Sequence, residues 1–117
     1  MRTLFIILLV NIVPSLLFAD NINFIWDPNV EPDLAGYRLY RSTQSGQGYV
    51  MILEIPCGPN DITCSECTDA GVPAGEYFWV ATAFDTEGFE SDYSVEQTTV
   101  VLGNGEIQNL RIISRGS

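Results

Sequence analysis

The sequence predicts an all-β fold, an antiparallel sandwich of short strands. After residue 19, no segment carries the 3.6-residue apolar period of an amphipathic helix, whereas several segments alternate apolar and polar residues with a period of two. Turn-forming residues separate these segments, as in DPN at 27–29 and STQSGQG at 42–48. Short alternating strands between turns, with no helix, are typical of a two-layer antiparallel sandwich.

Each predicted strand rests on its own pattern of residues. The predicted strands span 21–26, 35–40, 49–55, a short segment through 68–69, 76–85 and 94–102. In the first, Ile22, Phe24 and Trp26 fall at every second position, which gives a half-buried face. The strand 76–85 is the strongest, because it is the longest and carries large apolar residues on both faces.

Residues 1–19 are predicted to be a secretory signal peptide. A positive start at Met1-Arg2 precedes an apolar run, and Ala19 is the small residue expected just before the cleavage site. Asn11 and Pro14 interrupt the apolar segment, which falls short of the roughly 20 residues that a membrane span needs. We therefore expect a secreted or extracytoplasmic protein, in the periplasm or at the cell surface, that meets the membrane only through the transient signal peptide.

The charge balance excludes several classes of function. Fifteen acidic residues stand against five basic ones, and histidine is absent, which gives a net charge of -10. A chain of this charge has too few cations to displace the counterions of a nucleic acid, so no nucleic-acid partner is expected. The absence of histidine removes the commonest general base and the commonest metal ligand. No catalytic residue, metal or other cofactor is predicted, and we do not expect an enzyme.

Three cysteines lie close together, at Cys57, Cys64 and Cys67. In an exported protein, cysteines at such spacing favour a disulfide over zinc binding or thiol catalysis. The turn residues between Cys57 and Cys64 favour a bridge between these two, although the other pairings stay open. Cys67 is then either a small apolar core residue or the donor of a bridge to another chain.

Three stretches of sequence carry a resemblance to a known family. They are Trp26, DLAGYRLYRS at 33–42 and TDAGVPAGEYFWVATAFDTEGFES at 68–91. Together they make the chain resemble a single fibronectin type III domain of the kind found in exported bacterial and phage-encoded proteins. The resemblance implies an immunoglobulin-like sandwich, with the domain at 20–102 and a tail or an extra strand at 103–117.

The resemblance also implies which residues form the core. They are Trp26, Tyr37, Leu39, Val72, Tyr77 and Trp79. Tyr77 takes the place of the corner tyrosine, whose hydroxyl is expected to bond to the backbone near Val72 and fix the crossing between the sheets.

The chain departs from the family at both ends. Cleavage after Ala19 leaves no room for the family's first strand, so the edge of the strand 21–26 is expected to lie open. The tail segment EIQNLRII, at 106–113, resembles the first strand of a following domain. Three fates remain for this segment: it folds back on the strand 94–102, it pairs with the open edge of a neighbouring molecule, or it stays disordered.

The expected topology gathers three loops, 27–34, 56–66 and 85–92, at one pole of the sandwich. The candidate binding residues there are Asp27, Glu31, Asp33, Asp61, Asp85, Glu87, Phe89, Glu90, Asp92 and Tyr93. Loops on a rigid scaffold commonly carry recognition, which predicts an exported non-catalytic binding or adhesion module for a protein or a glycan. The alternative function is an assembly subunit that pairs 106–113 with a neighbour's edge, and the acidic residues can also serve solubility alone.

Overall fold

The computed structural model describes residues 19–105 and 107–114, and within them it contains seven strands and one short 3-10 helix. The elements are β1 (Asp20–Ile25), β2 (Leu34–Ser42), β3 (Val50–Pro56), η1 (Ile62–Cys64), β4 (Glu66–Val72), β5 (Gly75–Asp85), β6 (Gln97–Val101) and β7 (Ile107–Arg111). In this described part of the chain, no helix is long and apolar enough to cross a membrane. The predicted signal peptide lies, up to residue 18, outside the described residues.

The strands form two sheets that face each other across one core. One sheet has the order β4-β1-β7 and the other has the order β3-β2-β5-β6. All neighbouring strands are antiparallel except β1 and β7, which run parallel. The predicted β-sandwich is therefore confirmed, with one parallel pair that the sequence did not predict.

The core consists of apolar side chains that both sheets direct inward. Phe24 of β1 packs against Trp79 of β5 with ring centroids 5.3 Å apart, and Trp26 meets Tyr37 at 5.0 Å. The residues predicted as core are buried, apart from the half-buried Tyr77. Burial of these large side chains from both sheets provides the main apolar driving force for folding.

The expected tyrosine corner is not formed. Among the described residues, the Tyr77 hydroxyl makes no hydrogen bond to the backbone near Val72. Its ring instead lies beside Trp79, at 5.9 Å between centroids, with the Arg41 guanidinium 5.3 Å from the ring centre. Tyr77 thus makes aromatic and cation–π contacts with residues of its own four-stranded sheet.

The tail forms a strand, but it follows none of the three fates left open by the sequence. Instead of folding back on β6, β7 crosses to the other sheet and pairs in parallel with β1, from Asn21 opposite Ile107 to Ile25 opposite Arg111. The edge of β1 that was expected to lie open is therefore paired with a strand of the same chain. The apolar side chains explain this choice, because Leu110 and Ile112 pack against the core from this position.

Candidate functional site

The three loops predicted to share one pole do meet. The amide of Asn60 donates to the carbonyl of Asn29 at 2.8 Å, and the amide of Thr86 donates to the carbonyl of Asp33 at 3.0 Å. These bonds join the loop after β1 to the cysteine loop on one side and to the loop after β5 on the other. The pole is therefore one connected surface, fixed by main-chain hydrogen bonds.

The loop between β3 and β4 carries the disulfide. Cys57 is bonded to Cys64, the pair favoured by the sequence, with their Cα atoms 5.7 Å apart. Between them, Asp61 caps the 3-10 helix: its carboxylate accepts hydrogen bonds from the hydroxyl and the amide of Thr63, which lower the pKa of Asp61. The bridge and the cap together hold this loop in one conformation.

A cavity of about 570 Å³ opens beside these loops, between the two sheets. Its floor is apolar and is formed by Trp26, Tyr37, Ala81 and Ala83, and its rim includes Asp27, Asn29, Glu31, Asp92 and Tyr93. The C-terminal segment 111–114 forms one wall of the cavity. An apolar floor with a polar rim, in this range of volume, is typical of sites for small ligands.

The charges at the rim are unevenly paired. Arg111 of β7 donates to the Asp27 carboxylate, and both residues of this exposed ion pair line the cavity. Among the described residues, the carboxylates of Glu31 and Asp92 have no hydrogen-bond or ion-pair partner. The rim therefore keeps free hydrogen-bond acceptors and an excess of negative charge, which favours ligands that donate hydrogen bonds.

Tyr93 is held at the rim by other aromatic rings. Its ring centroid lies 5.4 Å from that of Tyr40 and 5.1 Å from that of Tyr49, both in edge-to-face geometry. The three rings cover the outer face of the four-stranded sheet, where Val80 is almost fully buried. Although packed in this way, Tyr93 remains 40% exposed, so part of its ring is free to contact a ligand.

Two carboxylates anchor the tyrosines of this cluster. The Tyr40 hydroxyl donates a hydrogen bond to the Glu90 carboxylate, and the Tyr49 hydroxyl donates one to the Glu96 carboxylate. Burial, together with the bond to Glu90, raises the pKa of Tyr40 to about 12. Burial opposes ionisation of Glu90 and Glu96, but the hydrogen bonds that they accept prevail and lower the pKa of both. The segment after β5 is thereby tied to the sheet surface.

The candidate residues from the sequence divide into two groups. Asp27, Glu31, Asp92 and Tyr93 line the cavity. The others lie outside it: Asp33, Asp61, Asp85, Glu87, Phe89 and Glu90.

Several candidates outside the cavity have identifiable structural roles. The Asp85 carboxylate accepts from the amides of Glu87 and Phe89 and so builds the turn after β5. Glu90 lies on the outer face of the sheet, where it contacts Arg38 at 2.9 Å and Thr82 at 2.7 Å. Phe89 projects outward and is largely exposed.

Sequence reasoning missed the contribution of the C-terminal segment to the site. Asn29, Arg111 and the residues 112–114 line the cavity, yet none was a candidate. The scarcity of basic residues was the available signal, since Arg111 is the one basic residue of the segment 106–113 and a carboxylate partner is expected for it in so acidic a chain.

Trp26 lies beneath the cavity and carries an unusual feature. Its ring is buried, and its indole N–H has no hydrogen-bond partner among the described residues. A buried donor without a partner costs roughly 1–3 kcal/mol. This nitrogen is shut off from solvent, so it is not available to a ligand in the cavity.

The cysteines do not provide a metal site in this geometry. The sulfurs of Cys57 and Cys64 and a carboxylate oxygen of Asp61 lie within 4.8 Å of one another. Because the sulfurs are joined in a disulfide, they are not available as thiolate ligands. Cys67 is half-buried and unbridged, and burial, aided by Asp69 and Glu66, raises the pKa of its thiol to about 12.

Comparison with known proteins finds a likeness among solved structures. No protein-family model matches the chain. No curated protein matches it either. Among solved structures, it is similar to a fibronectin type III-like protein from Clostridium thermocellum, at 24% sequence identity and a TM-score of 0.48, over 79% of this chain and 91% of that chain. The β-sandwich fold stands on the strand pairing of this chain itself.

Proposed function

We propose that this chain is an exported, non-catalytic binding module and that its ligand site is the cavity at the loop pole. The observation that carries the proposal is the cavity itself, built by two loops, the end of β7 and an apolar floor between the sheets. The disulfide supports export, because such bonds persist in oxidising compartments. At the rim of the cavity, the carboxylates of Glu31 and Asp92, which have no partner among the described residues, supply hydrogen-bond acceptors for a ligand.

The chemistry of the rim favours a neutral or amino-bearing saccharide as the ligand. Glu31 and Asp92 offer acceptors to sugar hydroxyls, and Asn29 offers both a donor and an acceptor. The exposed part of Tyr93 provides an apolar surface for the C–H face of a sugar ring. The excess negative charge disfavours sulfated and other anionic glycans.

The test is a glycan array probed with the labelled mature protein, followed by titration calorimetry of each hit. We expect Asp92→Asn to weaken binding about tenfold or more, because a charged acceptor at the rim is lost. Glu87→Gln is the matched control, since Glu87 is an exposed carboxylate of the same loop that does not line the cavity. Mass spectrometry of the recovered glycan is expected to find it uncleaved.

Two results would count against the proposal in different ways. Equal binding by the Asp92 and Glu87 variants would remove the cavity as the ligand site. Binding of a purified protein partner, lost with Asp92→Asn while the array stays silent, would retain the cavity and replace the saccharide with a protein ligand.

A further inference from the structure

We propose that β7 is an exchangeable strand and that two copies of this chain form a closed dimer by trading it. In that dimer, β7 of each copy pairs with β1 of the other. The partner is thus a second copy of the same chain, and the interaction surface is the β1 edge. The chain is then in equilibrium between two states: a monomer in which β7 pairs with its own β1, and the exchanged dimer.

The β1 edge requires an occupant. β1 is central in its sheet and pairs with β4 on one side and with β7 on the other, in register from Asn21 to Ile25. Without β7, this row of backbone groups loses its partners, and the core loses the side chains of Leu110 and Ile112. An edge strand that leaves both a hydrogen-bonding row and apolar contacts behind makes a site that an identical strand can refill.

The connection between β6 and β7, the linker 102–106, decides between the monomer and the exchanged dimer. In the exchanged dimer, every contact between β1 and β7 is the same as in the monomer, and only the connection at 102–106 differs. This connection leads from β6, in the four-stranded sheet, to β7, in the three-stranded sheet. Interactions that stabilise the turn in this connection therefore favour the monomer. Changes that shorten or open the turn favour the exchanged dimer.

Asp20 holds this turn closed. Its carboxylate is almost fully buried and accepts hydrogen bonds from the amides of Gly103, at 3.2 Å, and Gly105, at 2.8 Å. Both glycines have positive φ, 72° and 86°, which residues with a side chain rarely adopt. In the exchanged dimer the linker opens and these bonds are lost, so they stabilise the monomer alone.

Exchange also bears on the cavity. Residues 111–114 follow directly from β7 and form one wall of it, with Arg111 bonded to Asp27. In the exchanged dimer, the partner copy supplies this wall to each cavity. Each cavity of the dimer is then incomplete without the second copy.

The experiment traps the pairing with an engineered disulfide. Asn23 and Asn109 lie opposite each other in the register of β1 and β7, with their side chains hydrogen-bonded at 3.2 Å. The variant Asn23→Cys and Asn109→Cys, made in a Cys67→Ser background, crosslinks one chain to itself in the monomer and two chains in the dimer. Non-reducing electrophoresis and light scattering then read out the partner of β7 directly.

Deletion of residues 103–105 is the first test of the linker. We expect this deletion to convert most of the chains to crosslinked dimers, because the shortened connection no longer reaches β1 of its own chain. A variant that stays monomeric with an intrachain crosslink would overturn the proposal.

Asp20→Ala is the second test, for the case in which the deletion prevents folding. We expect this change to raise the dimer fraction at a fixed concentration about tenfold, because it removes charge-assisted bonds from the monomer only. Glu87→Ala, which removes an exposed carboxylate away from both the turn and the cavity, is the control and should leave the fraction unchanged. No increase with Asp20→Ala, in a chain that keeps its circular dichroism spectrum, would also overturn the proposal.

Discussion

Asp69 of one sheet and Arg41 of the other form an ion pair across the interior, with 2.9 Å between Oδ2 and Nη1. The same carboxylate oxygen accepts the indole N–H of Trp79 at 3.0 Å. Asp69 therefore ties β4 to both β2 and β5. Since the Asp69 side chain is only 8% exposed, solvent replaces little of this bonding when a partner is removed.

We predict that Asp69→Ala destabilises the fold by about 3 kcal/mol, because it leaves the guanidinium of Arg41 and the indole of Trp79 without their acceptor. The free energy of unfolding, measured by urea denaturation, checks this value. Asp92→Ala is the control, and its effect should stay within about 0.5 kcal/mol, as for other exposed sites without partners. Equal stability of the two variants would show that the cross-sheet bond contributes nothing.

Cys67 is predicted to react very slowly with thiol reagents in the native state. Its thiol pKa of about 12 leaves roughly one molecule in ten thousand as thiolate at pH 8, and the thiolate is the reactive form. We expect one thiol per chain to be labelled slowly in buffer and at once in denaturant, followed by mass spectrometry. Cys67→Ser should show no labelling in either condition. Fast labelling in buffer would contradict the burial of this side chain.

The sequence predicted the strands well because their signal is local. Alternation at Ile22 and Phe24, or at Tyr77 and Trp79, records which side of a strand meets the core, and it needs no knowledge of other strands. The partner of β7 was left open for the opposite reason. The choice between β1 and β6 depends on which edge offers a place for Leu110 and Ile112, and this follows from the packed sandwich alone.

The same difference applies to the candidate site. The meeting of the loops followed from the expected topology, and main-chain bonds such as that from Thr86 to Asp33 do join them. The position of each side chain did not follow, because it depends on local hydrogen-bond partners. The Asp85 carboxylate caps its own turn, and the Glu90 carboxylate accepts from Tyr40. Acidic residues in a loop look alike in sequence until these partners are known.

Stability is predicted to fall in acid through Glu90 and Glu96. Hydrogen bonds lower the pKa of both in the folded state, so the unfolded chain binds protons more readily. Their contribution is complete above the ordinary glutamate pKa of 4.5 and is lost as the pH falls through the lowered folded value. Thermal unfolding between pH 7 and pH 3 should therefore depend on pH less steeply in Glu96→Gln. Glu87→Gln, which removes an exposed carboxylate, should retain the slope of the parent, and equal slopes in all three proteins would contradict the prediction.

The docking of the tail is tested by two adjacent isoleucines. Ile112 is 7% exposed and packs in the core, whereas Ile113 is 54% exposed. We predict that Ile112→Ala lowers the free energy of unfolding by about 2–3 kcal/mol, since a buried isoleucine loses its apolar contacts and leaves a cavity. Ile113→Ala changes the composition of the tail identically and should cost less than about 0.5 kcal/mol. Urea denaturation of both variants measures the difference. A tail that does not dock would give two small and equal effects, because neither side chain would then be buried in the folded state.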